Sequence, residues 1–301
     1  MLDPLVIAFG LGVGVLVGLT GIGGGSLMTP LLIIFAGVPP VVAIGTDLAY
    51  GAITKTVGGW RHLKQGTVDL GVSKWLAVGS VPGSLLGVIA VNHLHDRYGS
   101  GFDDTLLYAI AGALMIVAAT VLCRALFMPH LLERERYAVA LSTGVRAGAA
   151  GLGFVLGGLV GMTSVGSGAL IGLALILVFR LTPHRVVGTD VFHAAVLLWS
   201  AGLAHWVTGN VDLLLMANIL IGSLPGVWFG TTLITKVPAH GLRPALGCVL
   251  LGSALGVLTK AGVNLPAAVI VGVPAGAGLA AFVLHRLRGT PTVAQAEAAT
   301  A

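Results

Sequence analysis

The sequence predicts an all-α, polytopic membrane protein built from two inverted repeats of about five helical elements with broken helices, plus a C-terminal helix. The composition indicates a membrane protein. Of 301 residues, 56% are apolar and only 9% are charged, whereas soluble domains carry about 25% charged residues. Apolar stretches long enough to cross a bilayer recur along the chain, as they do in helical membrane proteins. An internal repeat and the charges of the loops indicate the arrangement.

The repeat is visible when the chain is shifted against itself by 143 residues, which aligns 18–87 with 161–230 without a gap. Twenty-three of these 70 positions are identical. Shared apolar composition accounts for matched leucine and valine, but not for glycine, proline, aspartate and histidine in register. The most informative matches are Pro40 with Pro183, Gly45-Thr46-Asp47 with Gly188-Thr189-Asp190, His62 with His205, and Val68-Asp69-Leu70 with Val211-Asp212-Leu213.

The loop charges predict that the two copies have opposite orientations. Basic residues flank one loop of the first copy but not its counterpart at 204–217, and one loop of the second copy but not its counterpart at 36–43. These residues are Arg61, Lys64 and Lys74 in the first copy and Arg180 and Arg185 in the second. Because basic loops stay on the cytoplasmic side, equivalent loops lie on opposite sides of the membrane. Each copy must then cross the membrane an odd number of times.

Five helical elements are predicted in each copy. They lie near 4–20, 27–37, 41–60, 72–91 and 104–128, and near 137–160, 168–181, 184–205, 212–234 and 241–259. The second element of each copy is too short to span comfortably, so it is either a half-helix or one limb of a re-entrant hairpin. We divide the chain into membrane repeat 1 (1–128), membrane repeat 2 (129–262), an extra C-terminal transmembrane helix (263–288) and a disordered tail (289–301).

The two ends of the chain are also informative. The N-terminal segment lacks a basic leader and a small-residue cleavage site, so we expect it to be a membrane segment and not a removed signal peptide. The last helix ends in His285, Arg286 and Arg288. This basic end predicts a multi-pass protein of the cytoplasmic membrane with its C-terminus in the cytoplasm.

Two glycine-rich breaks interrupt the apolar segments at matched positions, "TGIGGGS" at 20–26 and "TSVGSG" at 163–168. Irregular backbone at membrane depth is tolerated only where it lines a cavity or is covered by protein, and the helix N-terminus that follows is an anion site. The alternative is that the glycines only allow close helix crossing. The predicted substrate-binding residues are Thr20, Gly23, Gly24, Gly25, Ser26, Thr46, Lys55, Thr163, Gly166, Ser167, Gly168 and Thr189.

Four polar residues in apolar surroundings have two or three interpretations each, since intramembrane charge is costly and indicates function by default. Asp47 and Asp190 either cap exposed amides of the neighbouring broken helix or carry a proton during transport, and these roles are compatible. His193, the repeat counterpart of Tyr50, either lines the same cavity or is a hydrogen-bonded packing residue. Lys55 either attracts the anion, pairs with Asp47, or extends toward the cytoplasmic interface.

Other function classes find less support. The basic residues are scattered over short loops, which indicates a role in topology and no nucleic-acid partner, and the chain has no phosphate-binding loop of an ATPase. Cys123 and Cys248 have no metal-ligand or disulfide spacing, so we predict neither a metal nor a cofactor. The rival functions are a metal or cation carrier with Asp47, Asp190 and His193 as ligands, and an intramembrane enzyme or assembly factor.

With these motifs in place, the chain resembles the sulfite exporter TauE/SafE family. The resemblance rests on "GIGGGSLMTPLL" followed by "AIGTDLA", "GGWRHLKQGTVDL" and "VPGSLLG", with a degenerate echo in the second half, and covers nearly the whole chain. It implies a bacterial-type carrier, and not an enzyme, that moves small sulfur-containing anions such as sulfite or organosulfonates, commonly outward. The expected partners are this small anionic substrate and the lipid bilayer, and a homo-oligomer is left open.

Overall fold

The computed structural model describes residues 2–20, 24–127, 139, 141–233 and 239–287. Within these ranges the chain forms eleven helices, and the all-helical fold class is confirmed. They are α1 (Pro4–Thr20), α2 (Gly25–Ile34), α3 (Pro40–Lys64), α4 (Leu70–Tyr98), α5 (Ser100–Phe127), α6 (Thr143–Thr163), α7 (Ala169–Leu177), α8 (Pro183–Val207), α9 (Leu213–Leu233), α10 (Ala239–Lys260) and α11 (Ala267–Leu287). The tail predicted to be disordered, 289–301, lies outside the described residues.

Five of the described helices are long and apolar enough to cross a membrane. They are α4, the Gly101–Arg124 part of α5, α6, α8 and α9. In contrast, α2 and α7 have only 10 and 9 residues, which at a rise of about 1.5 Å per residue covers roughly half of a 30 Å bilayer core. The prediction that the second element of each repeat is too short to span is therefore confirmed, and each forms a half-helix after a break.

The offset of 143 residues that relates the sequences also relates the helix boundaries. The helices α3 and α8 begin at Pro40 and Pro183 and end at the equivalent residues Lys64 and Val207. Proline suits the first turn of a helix because its missing N–H would have no partner within the helix. A local signal in the sequence thus places the start of the same helix in both repeats.

The helices that follow, α4 and α9, begin after an aspartate that caps them. The Asp69 carboxylate accepts a hydrogen bond from the Val72 backbone N–H. The Asp212 carboxylate accepts from the N–H groups of Leu214 and Leu215. These contacts satisfy amides that have no partner within the helix, so the matched aspartates have the same capping role in both repeats.

The equivalent helices α3 and α8 pack against each other in opposite directions. A Cβ atom at Gly51 would lie 3.1 Å from the Leu198 side chain, and one at Gly58, two turns later, would lie 3.0 Å from the Val191 side chain. The contact on α8 therefore moves backward as the contact on α3 moves forward. Two equivalent helices that run antiparallel at their contact are related by an inversion across the membrane.

The last helices of the two repeats, α5 and α10, show the same relation. The Leu122 side chain near the end of α5 contacts Gly247 near the start of α10. At the other end of the pair, the Tyr108 hydroxyl donates a hydrogen bond of 3.0 Å to the Ala261 carbonyl. This antiparallel pairing of equivalent helices is the arrangement that the loop charges predict.

Glycines form two close seams, each between a helix of one repeat and a helix of the other. The α4–α6 seam and the α1–α9 seam are equivalent under the 143-residue offset. Their glycines are Gly79, Gly83, Gly87, Gly153, Gly157 and Gly161 in the first, and Gly10, Gly14, Gly18, Gly222, Gly226 and Gly230 in the second. A Cβ atom at any of these positions would collide with backbone atoms of the facing helix, so the backbones are in direct contact.

Candidate functional site

Both half-helices start without a side-chain cap. The helices α1 and α6 end at the equivalent residues Thr20 and Thr163. After each break, the residue before the half-helix is a glycine, Gly24 for α2 and Gly168 for α7, and neither provides a capping hydrogen bond from a side chain. Because the first amides of a helix have no partner within it and carry partial positive charge, both N-termini are suited to an anion.

The second break is built from backbone that few residues tolerate. Ser164, at the end of α6, has a φ of 60°, and Gly166 has a φ of 100°. A non-glycine residue in this left-handed region is uncommon. The neighbouring Thr163 hydroxyl donates to the Leu159 carbonyl and accepts from the Val165 N–H, so its described hydrogen bonds stabilise the break itself.

The other break residues predicted to bind substrate lie deep in the protein. Ser26 and Ser167 are both buried, beside the starts of their half-helices. Gly25 lies against the second break, since a Cβ atom there would be 2.8 Å from the Ser164 carbonyl oxygen. The structure therefore brings the two breaks together at this point. Gly23 and the side chain of Thr20 lie outside the described residues.

Asp47 fastens the two breaks to each other. Its Oδ2 accepts a hydrogen bond of 2.6 Å from the Thr29 hydroxyl of the first half-helix and one of 2.9 Å from the Ser164 hydroxyl of the second break. Both of these donors are hydroxyl groups, so the interpretation of Asp47 as a cap of exposed amides stays a prediction. Its Oδ1 has no hydrogen-bond partner among the described residues.

Thr46 and Thr189 link the two repeats. The Thr46 hydroxyl accepts a hydrogen bond of 3.0 Å from the Asp212 N–H, and the Thr189 hydroxyl accepts one of 2.8 Å from the Asp69 N–H. Each threonine thus holds the start of a helix that belongs to the other repeat. Both hydroxyls act as acceptors in these links, and their role as donors to an anion stays a prediction.

Asp190 and His193 have fewer partners than Asp47. Asp190 is 5% exposed and His193 is 1% exposed. Neither Oδ1 of Asp190 nor either ring nitrogen of His193 has a hydrogen-bond partner among the described residues. The interpretation of His193 as a hydrogen-bonded packing residue is not what these contacts show. Buried polar atoms are nearly always hydrogen-bonded, so these two side chains are exceptions among the described residues.

Lys55 lies near Asp190 and not in a pair with Asp47. Its side chain is 8% exposed, and its Nζ has no hydrogen-bond partner in the described part of the chain. Its charge acts on Asp190 and also on His62, two turns further along α3. Arg124 at the end of α5 also acts on Asp190.

Some contributors were missed by the sequence reasoning. Thr29 and Ser164 are inside the quoted motifs, but nothing in the sequence says that Asp47 would contact both. Ser80 and its repeat counterpart Ser223 are identical in the alignment, and both are completely buried. That identity is a signal that could have found them, because two buried serines in register are hard to explain by apolar composition.

The described conformation is closed around these residues. Asp47, Thr46 and Thr189 are all at most 1% exposed. A surface cavity of about 260 Å³ between α1, α2 and α10 is lined mainly by apolar side chains and includes none of the candidate residues. Among the described residues, no group of three His, Cys, Asp or Glu side chains could hold a metal ion, so the metal-carrier alternative finds no ligand cluster there.

Oppositely oriented equivalent helices, with half-helices that meet at buried breaks, define a polytopic membrane protein with the architecture of a secondary transporter. The family model described as "Sulfite exporter TauE/SafE" matches residues 6–257. The chain therefore belongs to the sulfite exporter TauE/SafE family of membrane transporters, and the resemblance seen in the sequence is confirmed.

Curated relatives carry the same general description. The chain is 38% identical over 250 residues to the "Probable membrane transporter protein YjnA" of Bacillus subtilis (strain 168), covering 83% of this chain and 97% of that protein. It is 28% identical over 233 residues to "Probable membrane transporter protein YdhB" of the same organism, covering 77% and 91%. The "Probable membrane transporter protein MJ0441" of Methanocaldococcus jannaschii is 26% identical over 219 residues, covering 70% and 75%. No solved structure matches the chain.

Proposed function

We propose that the protein is a secondary transporter that exports small sulfur-containing anions, such as sulfite or organosulfonates, across the cytoplasmic membrane. The observation that carries the proposal is the pair of half-helix N-termini, each without a side-chain cap, that start at buried breaks in two oppositely oriented repeats. In transporters with inverted repeats, such N-termini bind anionic groups near the midplane. The amides near Gly24–Ser26 and Gly168–Ala169 would hold the anion.

The substrate class follows from the family's description as a sulfite exporter together with this local chemistry. Sulfite and sulfonate groups present three oxygens that accept hydrogen bonds. Helix amides, buried serine hydroxyls and a lysine ammonium are all donors, and this chain has buried serines at both breaks and a buried lysine on α3. The buried Lys55 would supply the positive charge that a small anion needs away from water.

We further propose that transport is coupled to protons. A carboxylate buried without hydrogen-bond partners is costly in its charged form, and Asp190 Oδ1 has no partner among the described residues. The groups that act on it are the cations Lys55 and Arg124, with His193 one turn away on α8. Asp47 shares the position in the first repeat, but its bonds to Thr29 and Ser164 suit a fastening role.

Flux into proteoliposomes that contain the purified protein tests this function. We expect sulfite or an organosulfonate to move and to compete with each other, at a rate that depends on an imposed pH gradient. Asp190→Asn should leave anion exchange measurable but remove its dependence on the gradient. If no sulfur oxyanion moves or competes, the substrate class is wrong; if Asp190→Asn keeps the full pH dependence, the coupling is wrong.

The orientation in the membrane can be tested separately. In a Cys123→Ser/Cys248→Ser background, single cysteines are introduced at the equivalent positions 64 and 207, and a membrane-impermeant thiol reagent is added to intact cells. We expect Val207→Cys to react from outside, and Lys64→Cys to react only after the membrane is opened. A cysteine added after the C-terminal helix should behave like Lys64→Cys. Reaction of both positions from the same side would refute the inversion.

A further inference from the structure

The two repeats place equivalent residues in different environments. Four buried side chains form what we call the Lys55 cluster. They are Lys55 on α3, Ser80 on α4, and Asp190 and His193 on α8. Each of them has at least one buried polar atom that lacks a hydrogen-bond partner among the described residues, namely Nζ, Oγ, Oδ1 and both ring nitrogens. The counterparts Asp47 and Ser223 also have one such atom each, so the feature that distinguishes this cluster is the buried ammonium of Lys55, because a buried charge without a partner is costly.

The packing of α3 on α8 places Lys55 in this cluster. Gly51, Lys55 and Gly58 are spaced by about one helical turn and share one face of α3. Gly51 contacts Leu198 and Gly58 contacts Val191, so Lys55 faces the part of α8 between these two residues. Small alanines occupy α8 there, at 194 and 195. The lysine therefore extends along α8 toward Asp190, on whose carboxylate its charge acts.

The packing of α4 on α8 places Ser80 at the same level. The Ser84 and Ser200 hydroxyls are 2.6 Å apart, and two turns later Asn92 bonds to Thr208, so these helices run parallel. Ser80 lies one turn before Ser84 on the same face. It therefore faces the turn of α8 that precedes Ser200, next to His193.

The counterparts of these four residues under the 143-residue offset form the equivalent place, and some of their side chains are different. The counterpart of Lys55 is Leu198, which packs against Gly51. The counterpart of His193 is Tyr50, and the counterpart of Ser80 is Ser223, whose hydroxyl, like that of Ser80, has no hydrogen-bond partner among the described residues. Asp47 accepts hydrogen bonds from two hydroxyl groups at Oδ2, while its Oδ1 has no partner in the described part of the chain. These four counterparts include no cation, so the buried Lys55 is the main difference between the two places.

We infer that the anion is recognised on one side of the pseudo-twofold arrangement, in the Lys55 cluster, and that Lys55, His193 and Ser80 are its specificity-determining residues. This inference rests on the proposed transport function and deepens it. Lys55 supplies the charge, while the His193 ring and the Ser80 hydroxyl supply directional donors to the oxygens of a small, singly charged oxyanion. The cluster has one fixed positive charge and one carboxylate, so a monoanion is balanced when Asp190 carries a proton.

The experiment measures the concentration of sulfite that gives half-maximal exchange in proteoliposomes. Lys55→Met should raise it about tenfold or more, because a buried charge-assisted hydrogen bond is lost, and Lys55→Arg should restore most of the affinity. Ser80→Ala should raise it several-fold. Its matched control, Ser223→Ala, removes the same group at the equivalent position and should leave the value unchanged. Maximal rates and thermal stability are recorded for each variant to separate recognition from folding.

A binding assay separates failure of the inference from failure of the transport function. Thermal stabilisation of the purified protein is measured with sulfite, methanesulfonate, sulfate and phosphate as probes. Stabilisation that Lys55→Met removes supports the inference even if no probe is transported, in which case the transport function fails alone. The inference is overturned if no probe stabilises the protein, if Lys55→Met keeps wild-type affinity, or if Ser80→Ala and Ser223→Ala have the same effect.

Discussion

Asp47 and Asp190 stand at equivalent positions of the two repeats and follow the same glycine and threonine, yet their surroundings differ. Oδ1 of each carboxylate lacks a partner in the described chain, but Asp47 accepts hydrogen bonds at Oδ2 from Thr29 and Ser164, whereas Asp190 experiences the charge of Lys55. The backbone around them is equivalent, since the same offset relates the helices α3 and α8 from end to end. The difference comes from side chains alone.

A few substitutions account for this difference. The position of Thr29 is occupied by Gly172 in the second repeat, so the hydroxyl that holds Asp47 has no equivalent beside Asp190. The position of Lys55 is occupied by Leu198. Duplication can therefore supply a symmetric scaffold, and changes at two or three buried positions can make one half a fastening and the other a binding site.

The largest expected effect tests the symmetric part of this comparison. Gly79→Val and Gly222→Val, at equivalent positions of the two seams, should each reduce stability by about 3 kcal/mol or more, because the new side chain meets the facing backbone and overpacking is destabilising. Apparent melting temperature in detergent measures the loss. Gly151→Val is the control, since nothing lies near a Cβ atom there. A large effect in one seam only would contradict the equivalence of the two seams.

The next effect tests the asymmetric part. Asp47→Ala should lower stability by about 3 kcal/mol, since it leaves the buried hydroxyls of Thr29 and Ser164 without their acceptor and each unsatisfied group costs roughly 1–3 kcal/mol. Asp190→Ala should cost less than Asp47→Ala, because it leaves no donor like Thr29 or Ser164 without its acceptor, although it removes a counter-charge of Lys55. The same thermal measurement compares the two variants. Equal losses of stability would mean that the two carboxylates stabilise the protein to the same extent.

The smallest effect tests the links between the repeats. Thr46→Val and Thr189→Val should each cost about 1 kcal/mol, the net value of one hydrogen bond, because each hydroxyl accepts from an amide at the start of a helix in the other repeat. Chemical unfolding of the two variants measures these losses. Thr54→Val serves as the comparison, since the Thr54 hydroxyl bonds only within its own helix. Unequal losses at positions 46 and 189 would show that the asymmetry extends beyond the carboxylates.

Most of the architecture could be predicted from the sequence because the signals for it are local. Hydropathy marks helices, proline marks the starts of α3 and α8, and the glycine-rich breaks mark the half-helices. Loop charge predicts the opposite orientations that the antiparallel pairing of α3 with α8 now shows. These signals act within one helix or one loop, so they can be read without knowing the neighbours.

The partners of the polar side chains could not be predicted in the same way. Thr46 and Thr189 lie within the repeated Gly-Thr-Asp motif as potential donors. Each instead accepts a hydrogen bond from a distant amide, which lies 166 residues away for Thr46 and 120 residues away for Thr189. Ser164 was passed over, although its hydroxyl reaches a carboxylate 117 residues earlier in the chain. Such contacts depend on the rotation and register of helices from different repeats. The repeat can be recognised in a single sequence, but the rotation and register of the packed helices cannot be predicted from it.

The glycine seams also determine which parts of the protein can move against each other. Each seam joins a helix of the first repeat to a helix of the second with backbones in contact, so α1 travels with α9 and α4 travels with α6. A motion that pulled one repeat away from the other would have to open both seams. The units that move as rigid bodies are therefore not the two sequence repeats. They are two mixed units, each of which contains helices from both repeats. Opening of the closed site to either side of the membrane then requires sliding or hinging at α3, α8 and the two half-helices, which lie outside these two seams.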